Sequence, residues 1–214
     1  MRVKICGLMR SQDVAAALES GADAVGFVVG SPSSRRNLEL NQARKLIKRV
    51  PIFATRVAVT SANDPKNVLR ICSRLKPDAV QLHQHQQELV RLIRKKHPET
   101  ELILATAISD RASLTRASWI LNDSDAVLAD TQGADGMGGT GRIHDWKLTA
   151  TLRNRIYPHP LILAGGLTPS NVHLAIRKVR PFAVDVSTGV EKRIGVKDHR
   201  KIRDFVNNAK EGMN

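Results

Sequence analysis

Short apolar segments alternate with amphipathic helical patterns eight times along this chain of 214 residues, and this alternation limits the possible folds. The apolar segments predict strands at 3–6, 24–29, 54–59, 79–83, 102–107, 126–130, 161–164 and 183–187. The helical patterns follow at 12–20, 42–50, 65–75, 87–96, 112–121, 146–156, 169–179 and 198–208. Such uniformly apolar strands favour a parallel sheet that is covered by helices. We therefore predict an α/β protein with a single (β/α)8 TIM barrel over residues 1–214, with a doubly wound open sheet as the alternative.

A three-residue motif recurs at the start of every second predicted strand. Asp-Ala-Val stands at 23–25, 78–80 and 125–127, and Phe-Ala-Val stands at 182–184. The interior of an eight-stranded barrel is filled in layers taken from alternate strands, so small alanines at one depth of the even strands fit such packing. The alternative is chance, since alanine and valine are common residues.

Two helix starts are marked by a capping residue followed by proline. Asp64 precedes Pro65, and Thr168 precedes Pro169. The first side chain supplies a capping oxygen, and proline suits the first helical position because its missing N–H is not needed there. Helices are therefore predicted to begin at Pro65 and Pro169.

The chain is strongly basic, with 34 Lys and Arg residues against 20 Asp and Glu and a formal net charge of +14. A basic surface makes nucleic acid a possible partner. The basic residues are spread over predicted helix faces, however, and aromatic residues for base stacking make up only 3% of the chain. We expect the charge to be incidental or to steer a small anionic molecule, and no nucleic acid to be the partner.

The sequence predicts a cytoplasmic protein without a membrane partner. No apolar run reaches the roughly 18 residues that a membrane helix needs, and the first residues lack the apolar core of a signal peptide. Cys6 and Cys72 are the two cysteines, too few for a disulfide framework and not clustered as in a zinc site. Cys72 is predicted to lie in a helix core.

Cys6 and Asp130 are the candidate proton-transfer residues, because functional side chains of such a barrel lie at the carboxyl ends of its strands. Each ends a predicted strand. If both point inward, a thiol and a carboxyl meet at the barrel mouth and can serve as base and acid without a metal. The alternatives are a buried core cysteine and a capping aspartate. Lys4, on the same strand face as Cys6, is a candidate for lowering the thiol pKa.

Glycine-rich loops follow the last three strands. The loop after the sixth strand contains Gly138, Gly139, Thr140 and Gly141, and a loop of this length is usually a lid or a ligand-binding loop. Asp145 is predicted to cap the helix after it. The loops after the seventh and eighth strands form the usual phosphate site of this barrel class, and here they contain Gly165, Gly166, Ser187, Thr188 and Gly189.

Six motifs in order resemble the phosphoribosylanthranilate isomerase family of tryptophan biosynthesis. They are residues 5–8, 21–27, 80–83, 138–141 with Asp145-Trp146, 163–172 and 184–191. The resemblance runs from the first strand to Asp198. It implies an isomerase that needs no cofactor and no metal, binds a small phosphorylated substrate, and is a monomer or a homodimer. The implied reaction is the Amadori rearrangement of N-(5-phosphoribosyl)anthranilate to 1-(o-carboxyphenylamino)-1-deoxyribulose 5-phosphate.

The resemblance also implies roles for individual residues. Cys6 is the general base, Asp130 the general acid, and the two glycine-containing loops after strands seven and eight hold the phosphate. An arginine of the second loop meets the anthranilate carboxylate. Arg36 matches that position better, because Arg35 stands where the family commonly has proline, but Arg35 stays open.

His83 and Asp185 are further candidates for substrate binding. His83 is the only histidine at a predicted strand end, and it is as readily explained as a packed or backbone-bonded residue. Other departures from the family pattern are Gln84, His144 and Thr188, which affect substrate fit and not the type of reaction.

Two rival functions stay open. One is another enzyme on the same phosphate-binding barrel, such as indoleglycerol-phosphate synthase or a sugar-phosphate epimerase, which needs strand-end lysines with glutamates or a metal-binding His/Asp set. The other is a nucleic-acid-binding protein, which the net charge of +14 suggests.

Overall fold

Eight parallel strands close into a barrel in the computed structural model, which describes residues 1–83, 86–131 and 145–212. The barrel strands are β1 (Arg2–Ile5), β2 (Ala24–Val28), β3 (Thr55–Thr60), β4 (Ala79–Leu82), β5 (Glu101–Ala107), β6 (Ala126–Asp130), β7 (Leu161–Leu163) and β8 (Ala183–Val186). The helices are α1 (Ser11–Glu19), α2 (Leu40–Ile47), α3 (Pro65–Leu75), α4 (Gln87–Lys96), α5 (Arg111–Trp119), α6 (Trp146–Ile156), α7 (Val172–Val179) and α8 (His199–Glu211).

The predicted (β/α)8 barrel is confirmed and the open-sheet alternative is wrong. β1 pairs with β2 on one side and with β8 on the other, where Lys4 stands opposite Asp185. An open sheet would leave both edges unpaired. The predicted and observed bounds of the elements differ by at most three residues.

The barrel has two apolar layers, because successive side chains of each strand point to opposite sides. The outer layer fills the space between strands and helices with large aliphatic residues and Phe27 and Phe205, which are fully buried. The inner layer is smaller and is made of residues such as Val57, Ile103 and Leu128. Lys4, Gln81 and Asp185 are buried polar residues on the inner faces of β1, β4 and β8.

The recurring motif has a structural role at the amino-terminal end of the barrel. Its alanines lie in the inner layer, and its valines lie in the outer layer with 0% exposure, as in Val25 and Val80. The aspartates each accept a hydrogen bond from the start of the preceding strand. The donors are the N–H groups of Val3 to Asp23 at 2.9 Å, of Arg56 to Asp78 at 2.7 Å, and of Leu102 to Asp125 at 2.7 Å.

One of the two predicted helix starts is correct. Asp64 accepts hydrogen bonds from the N–H groups of Lys66 and Asn67 at the start of α3, with Pro65 at the first helical position. The start at Pro169 is wrong, since α7 begins at Val172. The Asn171 side chain accepts from the N–H of Thr168 and donates to the carbonyl of Gly166, which ties these residues into a turn.

A short hairpin that the sequence analysis missed follows β8. It consists of β9 (Glu191–Arg193) and β10 (Val196–Lys197), which pair antiparallel, and a single 3-10 turn at Thr188–Val190 leads into it. Cys72 is a buried residue of α3 as predicted. Within the described ranges, no helix is both long and apolar enough to cross a membrane.

Candidate active site

The carboxyl ends of β1, β4, β6, β7 and β8 surround two neighbouring cavities. The larger, of about 230 Å³, lies between Asp130 and the loops after β7 and β8. The smaller, of about 80 Å³, is lined by Cys6, Arg36, His83 and other residues. Asp130, Asp185 and Ser187 line both cavities, which therefore form one continuous mouth.

The Cys6 thiol is buried just beyond the end of β1 and faces the interior as predicted, with 7% of the residue exposed. Gly26 on β2 makes room for it, because a Cβ on Gly26 would lie 2.8 Å from the Cys6 sulfur. Burial raises the pKa of Cys6 above its usual value, and the charges of Lys4 and Lys197 oppose that rise. Lys4 thus acts in the direction that the sequence predicted, but burial outweighs it.

The Asp130 carboxyl ends β6 and points into the larger cavity. Burial raises the pKa of Asp130 to about 6, and the Asp185 carboxylate adds to the rise. The N–H of Thr131 donates to Asp130 Oδ1 at 2.7 Å and acts in the opposite direction. A carboxyl with a pKa near the working pH is suited to general acid catalysis.

A chain of hydrogen bonds lies beneath the mouth. The Lys4 ammonium donates to Asp185 Oδ1 and to Gln81 Oε1, each at 2.9 Å, and the Gln81 amide is 3.1 Å from His83 Nε2. Since the Gln81 oxygen already accepts from Lys4, its NH₂ group is the donor to His83, and His83 Nε2 is the acceptor. Burial lowers the pKa of His83 to about 4, so the ring is neutral near pH 7.

The loops after β7 and β8 approach each other through glycines. Gly165 and Gly166 have φ angles of +84° and +65°, which favour glycine, and a Cβ on Gly165 would lie 2.9 Å from Asp130 Oδ1. Gly189 packs on the carbonyl oxygen of Leu167, where no side chain fits. Gly165, Gly166 and Gly189 therefore contribute only backbone to the wall of this cavity, which Ser187 and Thr188 also line.

Arg36 lies at the mouth, whereas Arg35 is exposed to solvent. The Arg36 Nε and Nη2 atoms each donate to Glu191 at 2.7 Å, and Nη2 also donates to Thr188 Oγ1 at 3.1 Å. Glu191 accepts a further bond from the buried ammonium of Lys197 at 3.2 Å. The structure therefore places Arg36, and not Arg35, beside Cys6.

The sequence analysis missed roles for Gln81, Glu191 and Lys197. Gln81 had a usable signal, since it stands two residues before His83 on an apolar strand and shares its face. The pairing of Arg36 with Glu191 had none, because the two residues lie 155 positions apart.

The predicted loop residues Gly138, Gly139, Thr140 and Gly141 lie outside the described residues, as do Gln84 and His144. Asp145 caps α6 as predicted, accepting from the N–H of Lys147 at 2.8 Å. Among the residues that the structure describes, no three His, Cys, Asp or Glu side chains form a group that could hold a metal ion.

The mouth brings a carboxyl that holds a proton up to about pH 6 and a buried thiol to one cavity. A glycine-lined pocket opens beside them, and a guanidinium group lies at the rim. Such an arrangement can donate and remove protons on one anionic molecule that is anchored at both of its ends.

Comparison with known proteins identifies relatives over nearly the whole chain. A family model described as N-(5'phosphoribosyl)anthranilate (PRA) isomerase matches residues 3–208. The N-(5'-phosphoribosyl)anthranilate isomerase of Methanothrix thermoacetophila is 46% identical over 206 residues, which are 96% of each chain.

Solved structures agree with the sequence comparison. A phosphoribosyl anthranilate isomerase in complex with reduced 1-(o-carboxyphenylamino)-1-deoxyribulose 5-phosphate superposes with a TM-score of 0.84, at 38% identity and 99% coverage of both chains. Monomers generated from the dimeric isomerase of Thermotoga maritima superpose with a TM-score of 0.82, at 39% identity and 99% coverage of both chains.

Proposed function

The chain belongs to the N-(5'-phosphoribosyl)anthranilate isomerase family, and we propose that it rearranges N-(5-phosphoribosyl)anthranilate to 1-(o-carboxyphenylamino)-1-deoxyribulose 5-phosphate with Asp130 as acid and Cys6 as base. The reaction is an aldose–ketose isomerisation and a step in the biosynthesis of L-tryptophan. The observation that carries the assignment of residues is that these two groups line one cavity beside a glycine-lined pocket.

Ring opening is the first step. Asp130 donates its proton to the ribose ring oxygen, the bond from C1 to that oxygen breaks, and the anthranilate nitrogen forms a Schiff base with C1. The raised pKa of about 6 keeps a useful fraction of Asp130 protonated near neutral pH. An ordinary aspartate, with a pKa of about 4, would be almost fully ionised there.

Proton abstraction is the second step. The Cys6 thiolate removes the proton from C2, and the electron pair moves toward the imine nitrogen to give an enolamine, which tautomerises to the ketone. The positive charge of the protonated Schiff base makes the C2 proton more acidic. The thiolate and the acid serve one substrate in sequence, so neither step needs a redox cofactor.

Substrate binding uses the two ends of the molecule. The phosphate fits the pocket formed by Gly165, Gly166 and the Ser187-Thr188-Gly189 segment, where backbone N–H groups can approach an anion closely. The anthranilate carboxylate is assigned to Arg36, which Glu191 holds at the rim. His83 and Asp185 lie between these two points and are proposed as contacts to the central part of the substrate.

The test is a fluorescence assay that follows the loss of phosphoribosylanthranilate made in situ from anthranilate. We expect turnover by the purified chain and almost none by a folded Cys6→Ala/Asp130→Asn double variant. Near wild-type turnover in the double variant would contradict the residue assignment. Absence of turnover in the wild type, with salt-sensitive binding of RNA or DNA, would favour the nucleic-acid rival.

Assembly and location are part of the proposal. Two free cysteines are typical of proteins in a reducing compartment, which supports the cytoplasm. A dimeric relative supports a homodimer, with a monomer as the alternative. Light scattering of the purified chain separates the two states.

A further inference from the structure

A lysine side chain stands inside the barrel, beneath the mouth, and none of the steps above uses it. Only 4% of the Lys4 side chain is exposed. A buried ammonium group is unfavourable unless other groups compensate its charge, so a lysine in a barrel interior needs a reason. Most inward positions at the same depth are aliphatic, as the inner layer of Val57 and Ile103 shows.

Lys4 and Cys6 lie side by side on β1. They are two positions apart and therefore point to the same side of the strand. A Cβ on Gly26 would lie 3.2 Å from the Lys4 Cε atom and 2.8 Å from the Cys6 sulfur. The stem of the lysine and the thiol therefore share the space that the missing side chain of Gly26 leaves open.

The ammonium group is fixed in this place by two partners from other strands. Asp185 on β8 and Gln81 on β4 each accept one of its hydrogen bonds, at 2.9 Å. Gln81 is a neutral acceptor, so one carboxylate alone offsets the charge of Lys4 through a direct hydrogen bond. An ammonium group has three N–H bonds, and two are used by these partners.

We propose that Lys4 is a positioning residue for proton abstraction, which stabilises the thiolate form of Cys6 and is held under the sulfur by Gln81 and Asp185. The proposal rests on Cys6 being the base of the proposed function. Lys4 acts through Cys6 and touches no reacting atom of the substrate.

The charges that act on Cys6 are those of Lys4 on β1, Asp185 on β8, Lys197 on β10 and Arg36 in the loop after β2. Asp130 on β6 and His83 after β4 are titratable groups that line the same cavity. Lys197 and Arg36 are both bound to Glu191, which offsets their charge. Lys4 lowers the pKa of Cys6 more than Lys197 does, whereas Asp185 raises it.

The state of Lys4 itself fits this role. Burial alone would lower the pKa of Lys4, but the charges and hydrogen bonds of Asp185 and Cys6 raise it above its usual value. The direction of this shift favours the protonated ammonium form of Lys4.

The experiment measures the rate at which iodoacetamide alkylates Cys6 as a function of pH, without substrate and in a Cys72→Ser background. Removing one partner of a buried ion pair is strongly destabilising, whereas replacing both partners is often tolerated. We therefore compare Asp185→Asn with the charge-neutral double variant Lys4→Met/Asp185→Asn. The two differ only in the presence of the ammonium group.

We expect the midpoint of alkylation to fall in Asp185→Asn relative to the parent, since the opposing carboxylate is gone. In the double variant, the midpoint of alkylation should lie above that of Asp185→Asn by about 1 pH unit or more. This is the usual effect of losing an opposite charge within 4–6 Å. Equal midpoints in these two variants would overturn the proposal. Circular dichroism verifies that both are folded, and if either is unfolded, Lys4→Met is compared with the parent, where an unchanged or lower midpoint overturns the proposal.

Lys197→Met is the matched control, because it removes another buried lysine of the same mouth. The midpoint of alkylation in Lys197→Met should rise above that of the parent by less than the difference between Asp185→Asn and the double variant. An equal or larger rise would assign the role to Lys197. The assay needs no turnover. A lysine-dependent midpoint in a protein that does not convert phosphoribosylanthranilate would therefore reject the proposed function and leave the arrangement of Lys4 intact.

Discussion

The amino-terminal end of the barrel has repeated contacts, whereas the carboxyl end does not. At the amino-terminal end, Asp23, Asp78 and Asp125 repeat one contact with a neighbouring strand, and the alanine after each one fills the same inner position. At the carboxyl end, each strand carries a different residue, such as Cys6, Asp130 or Ser187. Closing the barrel requires regular contacts between strands, whereas surrounding one asymmetric substrate requires irregular ones.

The largest effect is expected at the carboxyl end, from Asp130→Asn. The amide keeps the shape of the carboxyl and cannot give up a proton in the same way, so kcat should fall about 10²–10⁴-fold, the usual contribution of general acid–base catalysis. Binding of inorganic phosphate, measured by calorimetry, should be retained or become tighter, because the variant removes a negative charge from the wall of that pocket. Unchanged kcat would show that this end is as tolerant of substitution as the other.

Gly189→Ala comes next, because it tests the backbone part of the mouth. The new Cβ would meet the carbonyl oxygen of Leu167, so the loop must move. A displacement of about 1 Å can reduce activity 10²-fold, and we expect KM and the phosphate Kd to rise by about that factor.

Gly21→Ala is its control at the amino-terminal end, where the glycine has a positive φ angle of +89° that strains any side chain. It should lower the melting temperature and leave KM unchanged. A similar rise of KM in both variants would mean that the two ends are not independent.

Arg36→Ala should have a smaller effect, about a tenfold or greater rise of KM, as expected for the loss of a charged hydrogen bond. Arg35→Ala should leave KM nearly unchanged, since its side chain is exposed. Steady-state kinetics on both variants compares two neighbours of one loop. Equal effects would place the carboxylate elsewhere.

The pH profile of kcat/KM tests the protonation states proposed for Asp130 and Cys6 at the carboxyl end. The proposed mechanism requires Asp130 protonated and Cys6 ionised, so activity should rise with pH while the thiolate fraction grows. It should level off near pH 6, where Asp130 begins to lose its proton. Asp185→Asn removes a charge that raises the Asp130 pKa, so the bend should move to lower pH. The substrate phosphate also titrates near pH 6, but its pKa does not depend on the variant.

Asp78→Ala should have the smallest effect on activity, namely none. The change removes the acceptor of the Arg56 N–H and side-chain bonds, so the free energy of unfolding should fall by about 1 kcal/mol, a typical net value for a hydrogen bond. Urea denaturation measures the loss, and kcat/KM should match the wild type. A drop in kcat/KM would show that contacts at the amino-terminal end also affect catalysis.

The regular end was also the more predictable one. Apolar runs indicated the eight strands, and the Asp-Ala-Val repeat indicated the layer of alanines. At the carboxyl end, only the spacing by two was informative, since it placed Cys6 and Asp130 on inward faces. These signals are local, since each is contained within a few neighbouring residues.

The irregular end depended on contacts between distant residues. The ion pair of Arg36 with Glu191 and the bond of Lys4 to Asp185 join segments that are far apart in the chain, and no local pattern encodes them. The start of α7 was misplaced for a related reason, because the Asn171 side chain overrides the proline signal at Pro169.

The pairing of β1 with β8 has a consequence for synthesis on the ribosome. Lys4 on β1 is made 181 residues before Asp185 on β8, so the two strands leave the ribosome at very different times. Until β8 is made, β1 and β7 each carry an open edge, and Lys4 lacks its carboxylate. A nascent chain therefore gains its complete site in a single late event, when β8 closes the ring, and products truncated before that point have unpaired edges that other chains can bind.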